Sequence, residues 1–198
     1  AERQFKIFNA MAPDEFAIHT ELGHEVVFYG TCLPTKGVET FLSALEYVDP
    51  ACQLGVYLLG MTPEYHARLR ALADRRGLHL RVDPALTWRT GLRERVAAAR
   101  AVVVPSTWWV TSENVVYEAL LLGKPVIVSR IGGNIELVEH GETGLLVEPG
   151  NAKALAEGIN RLSTDQDLAR QMGQRAYLRA RERFAGPVFL NRLLTAYQ

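Results

Sequence analysis

The sequence predicts an α/β fold, a Rossmann-like parallel sheet with helices on both faces, and two observations carry that prediction. Short β-branched runs alternate with longer stretches of helical period along most of the chain, the order that builds a parallel sheet covered by helices. The 198 residues, 48% of them hydrophobic, suffice for one good core and lie near the upper edge of ordinary single-domain size.

Taken in order, residues 1–23 carry Pro13 and Gly23 and no clear period, so they read as a lead-in or interdomain linker, with the domain proper spanning 24–198. The first strand is expected at Glu25 to Tyr29 (EVVFY). After it, Val38, Phe41, Leu42 and Leu45 recur three and four apart, as an amphipathic helix requires. A second strand, Leu54 to Leu59, precedes a helix marked by His66, Leu69 and Leu72. Further strands are expected at His79 to Val82, Ala101 to Val104, Pro125 to Ser129 and Leu145 to Val147, with a helix from Val115 to Leu122. From Asn151 onward the pattern is almost wholly helical, broken at Ser163-Thr164-Asp165 and again at Gly186-Pro187. Right-handed β-α-β crossings leave a ligand crevice at the carboxyl ends of the strands, so function is sought in the strand-to-helix loops.

Composition narrows the partners. Lys plus Arg and Asp plus Glu both total 22, so no net field draws nucleic acid or anionic lipid to the chain. No apolar run approaches the roughly 20 residues of a membrane span, and the segment AERQFKIFNAMAPDEF lacks the apolar core of a signal peptide. Cys32 and Cys52 have neither CxxC nor zinc-site spacing, and a reducing cytoplasm is the expected location. The five histidines are scattered. Asp165-Gln166-Asp167 looks superficially like a metal-binding DxD, but it falls between two late helices, where Thr164 and Asp167 suit a capping arrangement. No metal is expected.

Three loops have chemistry. Gly30-Thr31-Cys32-Leu33-Pro34-Thr35-Lys36-Gly37 joins a strand to a helix. Glycine lets a ligand approach the backbone, the helix start offers unpaired N–H groups, and Lys36 adds a full charge, so a phosphate fits there. The plain alternative is a turn whose lysine is merely solvated. The second loop runs from Pro105 to Asn114. Ser112 is placed to cap the following helix and leave its other early amides free for a diphosphate. Glu118, one turn in, can accept two hydrogen bonds from a ribose diol, unless it is an ordinary surface glutamate. Trp108 and Trp109 could stack on a sugar or base, or serve core or interdomain packing. The third loop, Ser129 to Glu136, has a glycine pair, and Glu136 suits the positive end of the helix dipole.

Together these loops resemble the C-terminal donor-binding domain of the retaining GT-B glycosyltransferases of the group 1, family four type. The resemblance covers Val26-Val27-Phe28-Tyr29-Gly30, Lys36-Gly37-Val38-Glu39, Leu58-Leu59-Gly60 and Val104-Pro105-Ser106. It continues through Tyr117-Glu118-Ala119-Leu120-Leu121-Leu122-Gly123-Lys124-Pro125-Val126-Ile127, Gly132-Gly133-Asn134-Ile135-Glu136-Leu137-Val138 and Gly141-Glu142-Thr143-Gly144-Leu145-Leu146-Val147. Each piece is weak alone; the ordered set is specific.

That resemblance implies one half of a GT-B fold that binds a nucleoside diphosphate sugar. Lys36 corresponds to the lysine on the donor diphosphate and Glu118 to the ribose glutamate. The amides of Asn114, Val115 and Val116 are implied to face the phosphates, and Gly30 to give the donor close access. Two positions depart from the family. Thr31 stands where an arginine usually adds a second positive charge, and Val110 stands where the first of two paired glutamates touches the transferred sugar. Glu113 is the candidate to take over that catalytic role beside Lys36, and Arg130 is a candidate to restore the lost charge.

The implied reaction is retaining hexosyl transfer without a protein nucleophile. Lys36 and the helix amides stabilise the leaving diphosphate, with no cofactor or metal. The implied partner is an N-terminal acceptor-binding domain, to which any contact with the inner face of the membrane would fall. A non-catalytic scaffold domain and half of a nucleotide-sugar epimerase are the alternatives.

Overall fold

The computed structural model describes residue 18, residues 21–109 and 113–184, and residue 194. Within them lie the strands β1 (Glu25–Thr31), β2 (Gln53–Leu59), β3 (His79–Val82), β4 (Ala101–Val104), β5 (Val126–Ser129) and β6 (Gly144–Val147). They form one sheet in the order β3-β2-β1-β4-β5-β6, with every pairing parallel. All six expected strands are present and the fold is Rossmann-like. β5 starts one residue after the expected Pro125, because proline has no N–H to give a ladder; its carbonyl instead accepts from Val102 N at 3.0 Å.

The helices are α1 (Val38–Ala44), α2 (Pro63–Arg76), α3 (Leu92–Ala97), α4 (Asn114–Leu121), α5 (Asn134–Leu137), α6 (Ala152–Thr164) and α7 (Gln166–Phe184). Alternate strand residues point to opposite faces, so each helical layer receives its own set. Val26, Phe28, Val56 and Val103 meet α1, α2 and α6 through Phe41, Leu69, Leu155 and Ile159. Val27, Tyr29, Val102 and Val104 meet α3 and α4 through Val96, Val116 and Leu120. α7 reaches both layers, Ala169 and Met172 joining the first cluster and Ala176 and Ala180 the second. Every residue of β4 is buried, as a central parallel strand covered on both faces should be. Each of its three valines contributes about 1.5–3 kcal/mol relative to exposure.

Two local expectations are corrected. The buried stripe of α2 is Tyr65, Leu69 and Ala73, while His66 is only half-buried. The Tyr65 hydroxyl donates to the Val38 carbonyl at 2.6 Å and fixes α2 on α1. α7 is capped by Asp165, whose Oδ1 accepts from Leu168 N at 2.9 Å. Thr164 still belongs to α6, where its hydroxyl bonds back to the Asn160 carbonyl at 2.9 Å. Most of the lead-in and the Gly186-Pro187 break lie outside the described residues. Among those residues no helix is long and apolar enough to cross a membrane.

The order of the strands positions the site. The chain moves from β1 outward to β2 and β3, then crosses back to β4 on the other side of β1. The loops after β1 and β4 therefore diverge and open a crevice at the carboxyl ends of these two strands. β1 pairs with β4 from Val26 only as far as Phe28, yet continues beside β2 to Thr31, so Gly30 and Thr31 stand over that crevice.

Candidate functional site: a crevice between the first and fourth strands

The lysine loop is anchored tightly to the loop after β4. Pro34–Lys36 form a 3-10 turn that ends at Gly37, with φ of 74°. A Cβ on Gly37 would lie 1.8 Å from the Pro105 carbonyl oxygen, so only glycine allows the two loops to approach this closely. Thr107 N donates to the Thr35 carbonyl at 3.0 Å. The result is a fixed base for Lys36 on one side of the crevice.

Opposite it, α4 begins at Asn114, with Glu113 extended at the N-cap position. The expected cap, Ser112, lies outside the described residues, and the cap position falls one residue later than predicted. The Glu113 carbonyl accepts from Val116 N at 2.9 Å, so the Val116 amide is engaged within the helix. Asn114 and Val115 line the crevice. The Glu113 side chain does not cap the helix but turns into the crevice, where it is only 2% exposed. Its Oε2 accepts from Lys36 Nζ at 2.8 Å and from Ser106 Oγ at 3.0 Å. Oε1 accepts from Asn134 Nδ2 at 3.4 Å. A carboxylate removed from water is costly unless paired and hydrogen-bonded, and these three donors provide that compensation. Lys36 keeps 35% of its side chain exposed and faces both carboxylate and solvent.

A second crevice adjoins the first. The pair, about 290 and 280 Å³ in volume, share Tyr29, Gly30, Thr31 and Val115 as walls. The second is closed by Glu118 and by the apolar Leu59, Leu86 and Trp88. Tyr29 OH donates to Glu118 Oε2 at 2.8 Å, and its ring stacks on Trp88 with centroids 6.1 Å apart. Burial holds the Glu118 carboxyl above its ordinary range, partly offset by the Tyr29 hydrogen bond. Burial likewise pushes the Tyr29 phenol up, with the Glu118 charge adding to it.

Lys36, Glu113, Asn114 and Val115 thus meet in one crevice, Glu118 closes the next, and Gly30 and Thr31 belong to both. Tyr29, Trp88, Ser106 and Asn134 were not assigned from sequence. The available signals were a tyrosine ending a buried strand and an asparagine following a glycine pair. Arg130 does not line either crevice; its guanidinium pairs with Glu148 at 3.2 Å. Trp108 and Trp109 are 67% and 70% exposed and so are not core residues. A larger groove of about 580 Å³ lies between α1 and α2, away from the strand ends, and its Arg68 and Arg75 are held by Glu39 and Glu46.

Comparison with known proteins gives a consistent set. Residues 17–179 match the family described as Glycosyl transferases group 1. An exopolysaccharide phosphotransferase of Streptomyces coelicolor is 32% identical over 195 residues, 96% of this chain and 20% of that protein. A D-inositol 3-phosphate glycosyltransferase of Corynebacterium glutamicum is 32% identical over 182 residues, covering 83% and 40%. HepE of Anabaena, solved in complex with UDP-glucose, superposes with a TM-score of 0.79 at 25% identity, covering 96% of this chain and 56% of that one. The chain thus spans well under half of these curated relatives.

Proposed function

The chain belongs to the glycosyl transferases group 1 family, and from that premise we propose that it holds the nucleoside diphosphate sugar donor of a retaining hexosyltransferase, while a second domain holds the acceptor. The observation that carries this is the pair of joined crevices at the switch point, with Lys36 in one and the Glu118 carboxylate in the other. Lys36 and the start of α4 suit the diphosphate, and Glu118 suits the ribose diol. The apolar wall of Leu59, Leu86 and Trp88 suits a nucleobase. That HepE is described in complex with UDP-glucose favours a uracil donor.

The acceptor hydroxyl attacks the anomeric carbon as the bond to the diphosphate oxygen breaks; negative charge grows on the leaving diphosphate, which takes up the acceptor's proton. Lys36 stabilises that charge by position. Transfer needs no resident metal in this scheme, so donor binding should survive EDTA. Residues 1–23 then connect this half to its partner, in a cytoplasmic enzyme.

A second reading, a scaffold domain without donor chemistry, is favoured by one observation: Glu113 already neutralises Lys36, and Thr31 supplies no further charge. The phosphotransferase relative, of which this chain matches only a fifth, fits such an accessory role. Calorimetric titration with UDP, GDP, UDP-glucose and GDP-mannose separates the two. A selective signal lost in Lys36→Ala and Glu118→Ala supports donor binding; silence at millimolar ligand supports the scaffold.

A further inference from the structure

We propose that the Glu113 carboxylate is a built-in occupant of the anion subsite, competing with an incoming diphosphate for Lys36, Ser106 and Asn134 and thereby setting donor affinity. The identity of the competitor rests on the donor-site reading above; the occupied anion site itself rests on geometry. A cationic ammonium, a hydroxyl and an amide N–H converge on one buried carboxylate at 2.8, 3.0 and 3.4 Å. Such a set of donors would suit a phosphate oxygen equally well. The carboxylate occupies it from the N-cap of α4, the end of the helix at which anions are favoured.

A structural counter-ion is not needed at this place. Lys36 retains 35% exposure, so losing its partner leaves it solvated and not stranded in the core. Ser106 and Asn134 are fully buried, and Asn134 Oδ1 has no hydrogen-bond partner among the described residues. Asn134 is therefore held by Glu113 Oε1 and the Ser129 carbonyl, the latter at 3.3 Å, and not by a wider network. A diphosphate entering between Thr31 and Asn114 must displace the carboxylate from Lys36 or share the cation with it. Either course weakens binding relative to an empty cradle.

Glu113→Gln keeps the shape and hydrogen-bonding reach of the side chain while removing its charge, and Glu113→Ala empties the cradle. Calorimetric titration of the 198-residue chain and both variants would use inorganic pyrophosphate, UDP, GDP and uridine. Pyrophosphate affinity should rise by about ten-fold in either variant, the change that about 1.4 kcal/mol of relieved competition produces. UDP or GDP affinity should rise in parallel, uridine affinity should not change, and adding Lys36→Ala should abolish the gain. Pyrophosphate affinity that is unchanged or lower in both folded variants overturns the proposal, because Glu113 then orients Lys36 and does not compete with the ligand. A gain for pyrophosphate with no nucleotide binding supports the internal occupant and instead overturns the donor-site reading.

Discussion

The Tyr29 phenol donates to Glu118 Oε2 at 2.8 Å, tying the end of β1 to the middle of α4 across the switch point of the sheet. Tyr29 OH also lies 3.3 Å from the Val115 carbonyl. Tyr29→Phe removes the hydroxyl and leaves the half-buried Glu118 carboxylate without that donor, so folding stability should fall by about 1 kcal/mol. Urea denaturation checks this. A stability equal to wild type would mean that water replaces the phenol freely.

Glu118→Gln separates stability from binding. Burial raises the Glu118 carboxyl above its unfolded value, so the cost of the buried charge is fully present above the folded value and is relieved as pH falls through it. The glutamine variant should match or exceed wild-type thermal stability at neutral pH and lose that advantage in acid. UDP affinity should fall about ten-fold, since a neutral amide is a poorer acceptor for a ribose diol than a carboxylate. Tighter UDP binding in the variant would remove Glu118 from the site.

Lys124 is fully buried and donates to the Glu21 carbonyl at 3.3 Å. Burial lowers its ammonium from 10.5 to about 8. Between those values the unfolded chain carries the extra proton, so this lysine's contribution makes stability rise with pH, and its cost is fully present below about pH 8. Above the ordinary tyrosine range the raised Tyr29 and Tyr57 phenols act in the opposite sense. Denaturation midpoints of wild type and Lys124→Met should therefore converge from about pH 8 to about 10. Parallel curves would show that Lys124 is charged throughout.

Gly37→Ala tests the contact between the two loops. The new Cβ would overlap the Pro105 carbonyl at a position with φ of 74°. Both backbone strain and overlap act together, and a loss of about 3 kcal/mol or more is expected. Melting temperature measures it, and a wild-type value would mean that the loops part easily. Pyrophosphate binding should weaken with it, because Lys36 is the preceding residue.

The strands were legible because a sheet covered on both faces needs unbroken apolar runs, and β4 and β5 are spelled Ala101 to Val104 and Val126 to Ser129. The period of α2 places Leu69 correctly but points to His66 and Leu72, whereas the buried stripe continues through Tyr65 and Ala73; the Tyr65 hydroxyl can enter the interior because it bonds to the Val38 carbonyl. Lys36 and Glu118 stand out in the sequence as candidates to bind an anion and a ribose through their places in loops and in a family pattern, and the structure brings them to two adjoining crevices. Glu113 stands out in the sequence as the candidate to replace the glutamate missing at Val110, but its ion pair with Lys36 across 77 residues is not legible there.

Sequence by itself determined the order of elements, the parallel sheet and a crevice at the carboxyl ends of its strands, since hydrophobic period and right-handed crossings depend on local residue order. Only the tertiary structure decided the partners of the charged groups. Lys36 and Glu113 are 77 residues apart, and Tyr29 and Glu118 are 89 apart. Their pairing follows from β1 and β4 lying side by side with loops anchored through Gly37, and burial there makes the choice of partner energetically decisive.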